Sequence, residues 1–262
     1  MRVLPFSYLE QLDGGGPSYD ADAQAFFTAA GITNTTEKNA VNQLVLDLKA
    51  DSLWEKGIAL YPVVGGTADT HKYNLIDPTT FQLAFYGTIT HSSTGMKGNG
   101  TNGYYDTNIA LNTLDKDSAS LALYSRENNT NGVDLGATGP TVGGIQTNLR
   151  NGSNNHTNRV MSDTVLSQSS TNSALFGGNT RTNSTTATLF LNKTKSDISN
   201  ISVTNNTGYT IYGMCINASG NPLVYSSREQ ALVWIGLGLT NTDIDNLVDI
   251  NQTYQTALSR FV

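Results

Sequence analysis

A chain of 262 residues that is 38% hydrophobic can bury a sizeable core, and with only 14% charged residues its surface must be largely neutral and polar, supplied by Asn, Thr, Ser and Gly. Its 15 Lys and Arg against 21 Asp and Glu give a formal net charge of -6 with no basic cluster, which argues against binding a phosphate backbone. No apolar run approaches the roughly 18 residues needed to cross a bilayer, so neither nucleic acid binding nor membrane insertion is expected.

Residues 1–12 carry a short apolar patch without an h-region and small-residue cleavage site, so no cleaved secretion signal is expected. Asp13-Gly-Gly-Gly-Pro17 then reads as a hinge, making residues 1–17 a tether for attachment or an edge strand. A helical lead-in over residues 18–57 follows. Asp20 caps a first helix that Gly31 stops, and Thr35 or Thr36 caps a second, in which Val41, Leu44, Val45 and Leu48 form one apolar stripe. Leu53 and Trp54 continue that contact.

Over residues 58–239 the period becomes two, or short apolar runs stand between turn clusters, which predicts many strands and a two-sheet sandwich. The clearest candidates are residues 59–63, 81–86, 120–125, 187–191, 210–216 and 231–235. The Asn-, Ser- and Thr-rich stretch 148–186 contains Val160-Met161, Val165-Leu166 and Leu175-Phe176, pairs that favour hairpins over disorder. Residues 240–262 form the closing helix: Thr240 or Asn241 caps it, Asp243 and Asp245 suit its N-terminal end, and Ile244, Leu247, Val248, Tyr254, Leu258 and Phe261 make its apolar face.

Catalytic signatures are scarce. The glutamates Glu10, Glu37, Glu55, Glu127 and Glu229 stand apart, without the Glu-x-Asp-x-Glu pattern that sets two carboxylates on one strand face for glycoside hydrolysis. There is no Gly-x-Ser-x-Gly elbow, and the histidines His71, His91 and His156 lack zinc-ligand spacing, which leaves them structural roles hydrogen-bonding turn backbone. Asp20-Ala-Asp22 opens like a calcium loop, but Ala25 replaces the turn glycine and Gly31 the bidentate Glu, so calcium has no motif behind it and no cofactor is expected. Gly236-Leu-Gly238 and Gly95-Met-Lys-Gly98 fail as dinucleotide and phosphate loops. Cys215, the single cysteine, and Trp54 and Trp234 sit in apolar patterns and read as core.

Binding remains. Asn99, Asn102, Tyr104, Tyr105 and Asp106 put aromatic platforms and planar polar groups in one turn-rich stretch, the combination that sugar recognition uses; alternating tyrosines at a strand start also serve packing.

Tyr61-Pro-Val-Val-Gly-Gly-Thr, His71-Lys-Tyr-Asn-Leu-Ile-Asp-Pro78, Thr90-His-Ser-Ser-Thr-Gly95, Gly98-Asn-Gly-Thr-Asn-Gly-Tyr104, Leu123-Tyr-Ser-Arg126, Ser227-Arg-Glu229 and Gly236-Leu-Gly-Leu-Thr240 occur in that order. Together with the flanking helices, they resemble a laminin-G-like family of tail-fibre and other bacteriophage virion proteins, especially those of Bacteroidetes hosts. The resemblance implies a mainly β fold, a concanavalin A-like (laminin-G-like) antiparallel β-sandwich with an N-terminal helical hairpin and a C-terminal helix. It also implies a non-enzymatic tail-fibre, head-fibre or decoration protein of the virion, assembled in the bacterial cytoplasm and displayed outside the cell. Its partners would be other virion proteins, copies of itself, with a trimer favoured, and host-surface or environmental glycans. A purely structural virion component is the alternative, and a polysaccharide-degrading enzyme the third.

Overall fold

The computed structural model describes residues 18–139, 143–199 and 208–262. The tether or edge strand expected over residues 1–17 lies outside them. Two helices come first, α1 (Ala21–Ala30) and α2 (Thr35–Ala50). The Asp20 carboxylate accepts from the Asp22 N–H, and Gly31 ends α1 at φ 68°, a left-handed conformation that glycine adopts without a Cβ penalty. The second cap corrects the sequence reading by one residue: Asn34, not a threonine, caps α2, its side chain accepting from the Glu37 N–H at 3.1 Å.

The strands follow in chain order, with a short helix α3 among them: β1 (Gly57–Tyr61), α3 (Ala68–His71), β2 (Ala84–Tyr86), β3 (Ile89–Ser92), β4 (Gly95–Gly98), β5 (Tyr104–Ala110) and β6 (Ala119–Ser125). Next come β7 (Leu135–Thr138), β8 (Gly144–Asn148), β9 (Asn155–Ser162), β10 (Leu166–Ser169), β11 (Phe176–Arg181), β12 (Thr186–Leu191) and β13 (Thr194–Ser199). The last are β14 (Thr210–Gly213), β15 (Ile216–Ala218), β16 (Asn221–Leu223) and β17 (Glu229–Gly236), before α4 (Asn241–Ala257). The hairpins expected within residues 148–186 are present as β8–β9 and β9–β10, both antiparallel.

These strands make two sheets. The first runs β13-β12-β11-β6-β17-β4-β3, with β1 also on β17; the second runs β10-β9-β8-β7-β14-β5-β2, with β15 and β16 beside it. Pairing is antiparallel except between β15 and β7 and at the isolated Val133–Tyr225 bridge. The result is the antiparallel β-sandwich expected, with helices on one side.

Alternation along single strands defines the layers. On β17, Leu232 and Trp234 pack among the α1, α2 and α4 side chains, whereas Val233 and Ile235 enter the space between the sheets; Tyr124 and Leu123 divide the same way on β6. The first sheet is thus covered on both faces, which is why β6 and β17 are written as near-continuous apolar runs. The second sheet has a core on one face only, and β5 shows the alternation this produces. Its outer face is open.

Trp234 is core as expected, but Trp54 is only half-buried, its ring lying under the Lys49 ammonium at 5.3 Å. α4 stops at Ala257, so Phe261 falls beyond the helix and is 48% exposed rather than part of its buried face.

Candidate functional site

The open face of the second sheet collects four tyrosines from distant parts of the chain. Tyr86 on β2 pairs with Tyr104 on β5, and their rings stack at 4.9 Å with planes 14° apart. Tyr212 on β14 lies 5.0 Å from Tyr104 on the other side, and Tyr225, held near by its bridge to Val133, lies 6.3 Å away. Among the described residues β2 ends its sheet and no strand lies beyond Tyr86, which is 47% exposed. The cluster is a short column of rings with a free end at the sheet edge. Offset and tilted ring pairs of this kind contribute about 0.5–1.5 kcal/mol each beyond area burial.

Asp106 shares this face, opposite Tyr212 on one side and Ala84 on the other. Its carboxylate accepts from the Thr210 hydroxyl at 2.9 Å and the Asn108 N–H at 2.8 Å. Partial burial, then the neighbouring tyrosines Tyr212 and Tyr86, push the Tyr104 hydroxyl above its ordinary value; burial, then Asp106, does the same to Tyr212. Tyr104 and Tyr212 therefore stay neutral at physiological pH.

Tyr105 is a correction. Adjacent residues on a strand face opposite ways, so with Tyr104 outside, Tyr105 must point into the sandwich. It is fully buried, its hydroxyl donating to Gln230 Oε1 at 2.6 Å, and Gly213 opposite it is required because a Cβ there would lie 1.8 Å from its ring. No ligand outside the fold reaches that ring.

Asn99 and Asn102 are exposed but shape the loop that ends at Tyr104. Asn99 Oδ1 accepts from the N–H groups of Thr101, Asn102 and Gly103 at 2.9–3.0 Å, and Asn102 Oδ1 accepts from the Thr88 N–H and from Asn99 Nδ2. Of the five residues proposed from sequence, Tyr104 and Asp106 share the open face, Asn99 and Asn102 brace its rim, and Tyr105 is core. Tyr86, Tyr212 and Tyr225 were missed. Each is an isolated tyrosine in sequence; alternation in residues 84–86 and 210–213 could have placed Tyr86 and Tyr212 outside, but only strand order brings them together.

The histidines also differ from expectation, since their partners are side chains rather than turn backbone. His71 Nδ1 lies 2.9 Å from His91 Nδ1, and His156 contacts the Thr147 hydroxyl at 3.1 Å and the Gln168 amide at 3.2 Å. Two of the glutamates are held by cations: Glu229 pairs with Arg126 at 2.7 Å, and Glu127 with Lys97. Arg228 makes a fully buried pair with Asp134 at 2.7 Å, so the Ser227-Arg-Glu229 motif is framework. Among the described residues no group of three or more His, Cys, Asp or Glu side chains is arranged to hold a metal, and no helix is long and apolar enough to cross a membrane.

A separate concavity lies elsewhere. A cleft of about 370 Å³ lies between α4 and the β12–β13 turn, lined by Asn192, Lys193, Thr194, Val248, Asn251, Gln252 and Phe261. It holds no carboxylate among its lining residues. An open ring face needs no enclosed volume to bind a ligand by stacking, so the chemistry favours the tyrosine column over the cleft.

Neither protein-family models nor curated proteins give a match to this chain. Solved structures do. Domain 4 of a GH43 extracellular arabinanase from Geobacillus stearothermophilus, solved in complex with arabinotriose, is similar with a TM-score of 0.52 at 12% identity, covering 74% of this chain and 98% of that domain. A Trypanosoma rangeli sialidase in complex with sialic acid is similar with a TM-score of 0.52 at 10% identity over 79% of this chain, and a mutant of that sialidase displaying trans-sialidase activity with a TM-score of 0.53 at 10% identity over 82%. This chain spans 38% and 39% of those two sialidase chains. At such identities the likeness establishes a shared β-sandwich fold.

Proposed function

We propose that this chain is a non-catalytic glycan-binding module displayed on a bacteriophage particle, as part of a tail fibre, head fibre or decoration. The open tyrosine column carries the binding half of the proposal. Aromatic faces flanked by hydroxyl, amide and carboxylate groups complement sugars, whose C–H faces stack on rings and whose hydroxyls need planar polar partners. Similarity to a domain solved with arabinotriose supports the same reading. The virion half rests on the ordered motifs that resemble laminin-G-like phage proteins. Copies of the chain would assemble with cyclic symmetry, a trimer being favoured, alongside other virion proteins and without a cofactor.

The test is binding of the purified protein to a glycan array and to host-surface polysaccharide, with and without calcium, while reducing-end release is followed. Saturable, calcium-independent binding without release is expected, and Tyr86→Ala and Tyr104→Ala should each weaken it at least tenfold, a change of 1.4 kcal/mol. Absence of binding would leave a purely structural virion role, and release of reducing ends would make the chain an enzyme. Antibody labelling of phage particles in electron micrographs tests display separately.

A further inference from the structure

Resting on the glycan reading above, we infer that the tyrosine column selects neutral glycans and discriminates against acidic ones. Among the cross-strand partners of the rings, Asp106 is the charged residue, and it is negative. Asp106 is the direct cross-strand neighbour of Tyr212 and the diagonal neighbour of Tyr86, separations of roughly 5 and 7–8 Å. Its carboxylate is held in place by Thr210 and Asn108, so it cannot swing away from an incoming ligand.

Along the row of cross-strand partners, the first cation is remote. Following the row from Tyr212 across the sheet, the partners are Gly136, then Gln146, then Arg159. Arg159 is thus three strands away, about 14 Å at the usual spacing, and its guanidinium is tied to the Asp163 carbonyl. Besides burial and the Thr210 hydroxyl beside Tyr212, the groups acting on the hydroxyls of Tyr104, Tyr212 and Tyr225 are other tyrosines, Asp106 and Cys215, with no Lys or Arg among them. The chain's net charge of -6 adds to the same field.

A uronic or sialic acid stacked on this column would therefore bring its carboxylate against Asp106 in a partly desolvated site, with no arginine to receive it. Like charges placed this way discriminate by repulsion, a cost neutral sugars do not incur. Neutral hexoses and pentoses can instead donate their hydroxyls to Asp106.

The discriminating experiment is a calorimetric or NMR titration with matched probes: lacto-N-neotetraose against its sialylated form, and cello- and arabino-oligosaccharides against C6-oxidised cello-oligosaccharides. At low ionic strength, the best neutral probe should bind about tenfold more tightly than any acidic one. Asp106→Asn, which also changes an acceptor for neutral sugar hydroxyls, should narrow the neutral-to-acidic affinity ratio several-fold, and added salt should narrow it as well. Acidic probes bound as tightly as neutral ones, or a gap indifferent to Asp106→Asn, would overturn the selectivity while leaving the glycan reading intact. If no probe of either kind binds and the array is also blank, the glycan reading itself falls and the selectivity with it.

Discussion

Tyr104 and Tyr105 are neighbours in sequence and occupy opposite faces of β5. Tyr105 is placed so that its hydroxyl satisfies Gln230, whose amide in turn donates to the Asp134 carbonyl at 2.9 Å. Replacing Tyr105 by Phe keeps the ring and leaves Gln230 Oε1 buried without that donor, at a cost of about 1–3 kcal/mol. The expected outcome in urea denaturation is a lower midpoint with an unchanged slope, while glycan affinity stays at the wild-type level. Tyr104→Ala should behave in reverse, losing binding ahead of stability. A Tyr105→Phe protein as stable as wild type would remove the hydrogen-bond argument. The sequence around these residues showed an aromatic-polar cluster beside a turn; it did not show the parity of the strand, because parity depends on which residue pairs with Tyr86 and Gly213.

At the scale of elements, the helices were the most legible, because capping chemistry and apolar spacing are local. α4 begins with a capping box in which the Thr240 hydroxyl accepts from the Asp243 N–H at 3.2 Å and Asp243 Oδ2 accepts from the Thr240 N–H at 2.7 Å. Asp243 also holds Lys56 at 2.6 Å, tying the helix start to the chain just before β1. Thr240→Ala should cost about 1 kcal/mol, read as a fall in thermal midpoint of a few degrees, and Thr240→Ser should restore most of it. A Thr240→Ala protein that melts with wild type would mean that α4 is held by its packed face alone. The six strand ranges read from sequence each met a strand, with blurred ends: residues 59–63 became Gly57–Tyr61, and residues 210–216 split into β14 and β15. Strand order was not legible, since the pairings of β17 with β6 and of β14 with β5 join residues a hundred or more positions apart. The tyrosine column depends on that order, which is why only one of its four rings was anticipated.

The whole molecule ties its stability to two neutral histidines, each buried near an arginine. His71 is 1% exposed and feels both His91 and Arg260, whose guanidinium donates to the carbonyls of Pro62, Val63 and Ala231. His156 is 0% exposed and feels Arg228; its Nδ1 accepts from the Gln168 amide, so its proton sits on Nε2 toward Thr147. Burial first, then these neighbouring groups, pushes each imidazole down to about 3, against an ordinary 6.5. A folded value below the unfolded one means that the unfolded chain takes up protons first as pH falls. The contribution of each histidine is therefore complete above pH 6.5 and is lost progressively as pH drops from there toward 3. At pH 5 each loss is about 2 kcal/mol, so the pair removes a large part of a typical domain's stability. Carboxylates held low, such as Asp20 by its hydrogen bond from Lys49 and Asp77 by that from the Thr79 hydroxyl, add their losses only around and below pH 4, which separates the two effects. The urea midpoint should accordingly fall steadily between pH 7 and pH 5. His156→Gln, which retains an amide for Thr147 or Gln168, should flatten that slope without abolishing it, because His71 and the less buried His91, also held low by burial, keep their share. A midpoint level across this range would mean that the two imidazoles are solvated in the folded protein, and that sheet and helix layers meet less tightly than their burial requires.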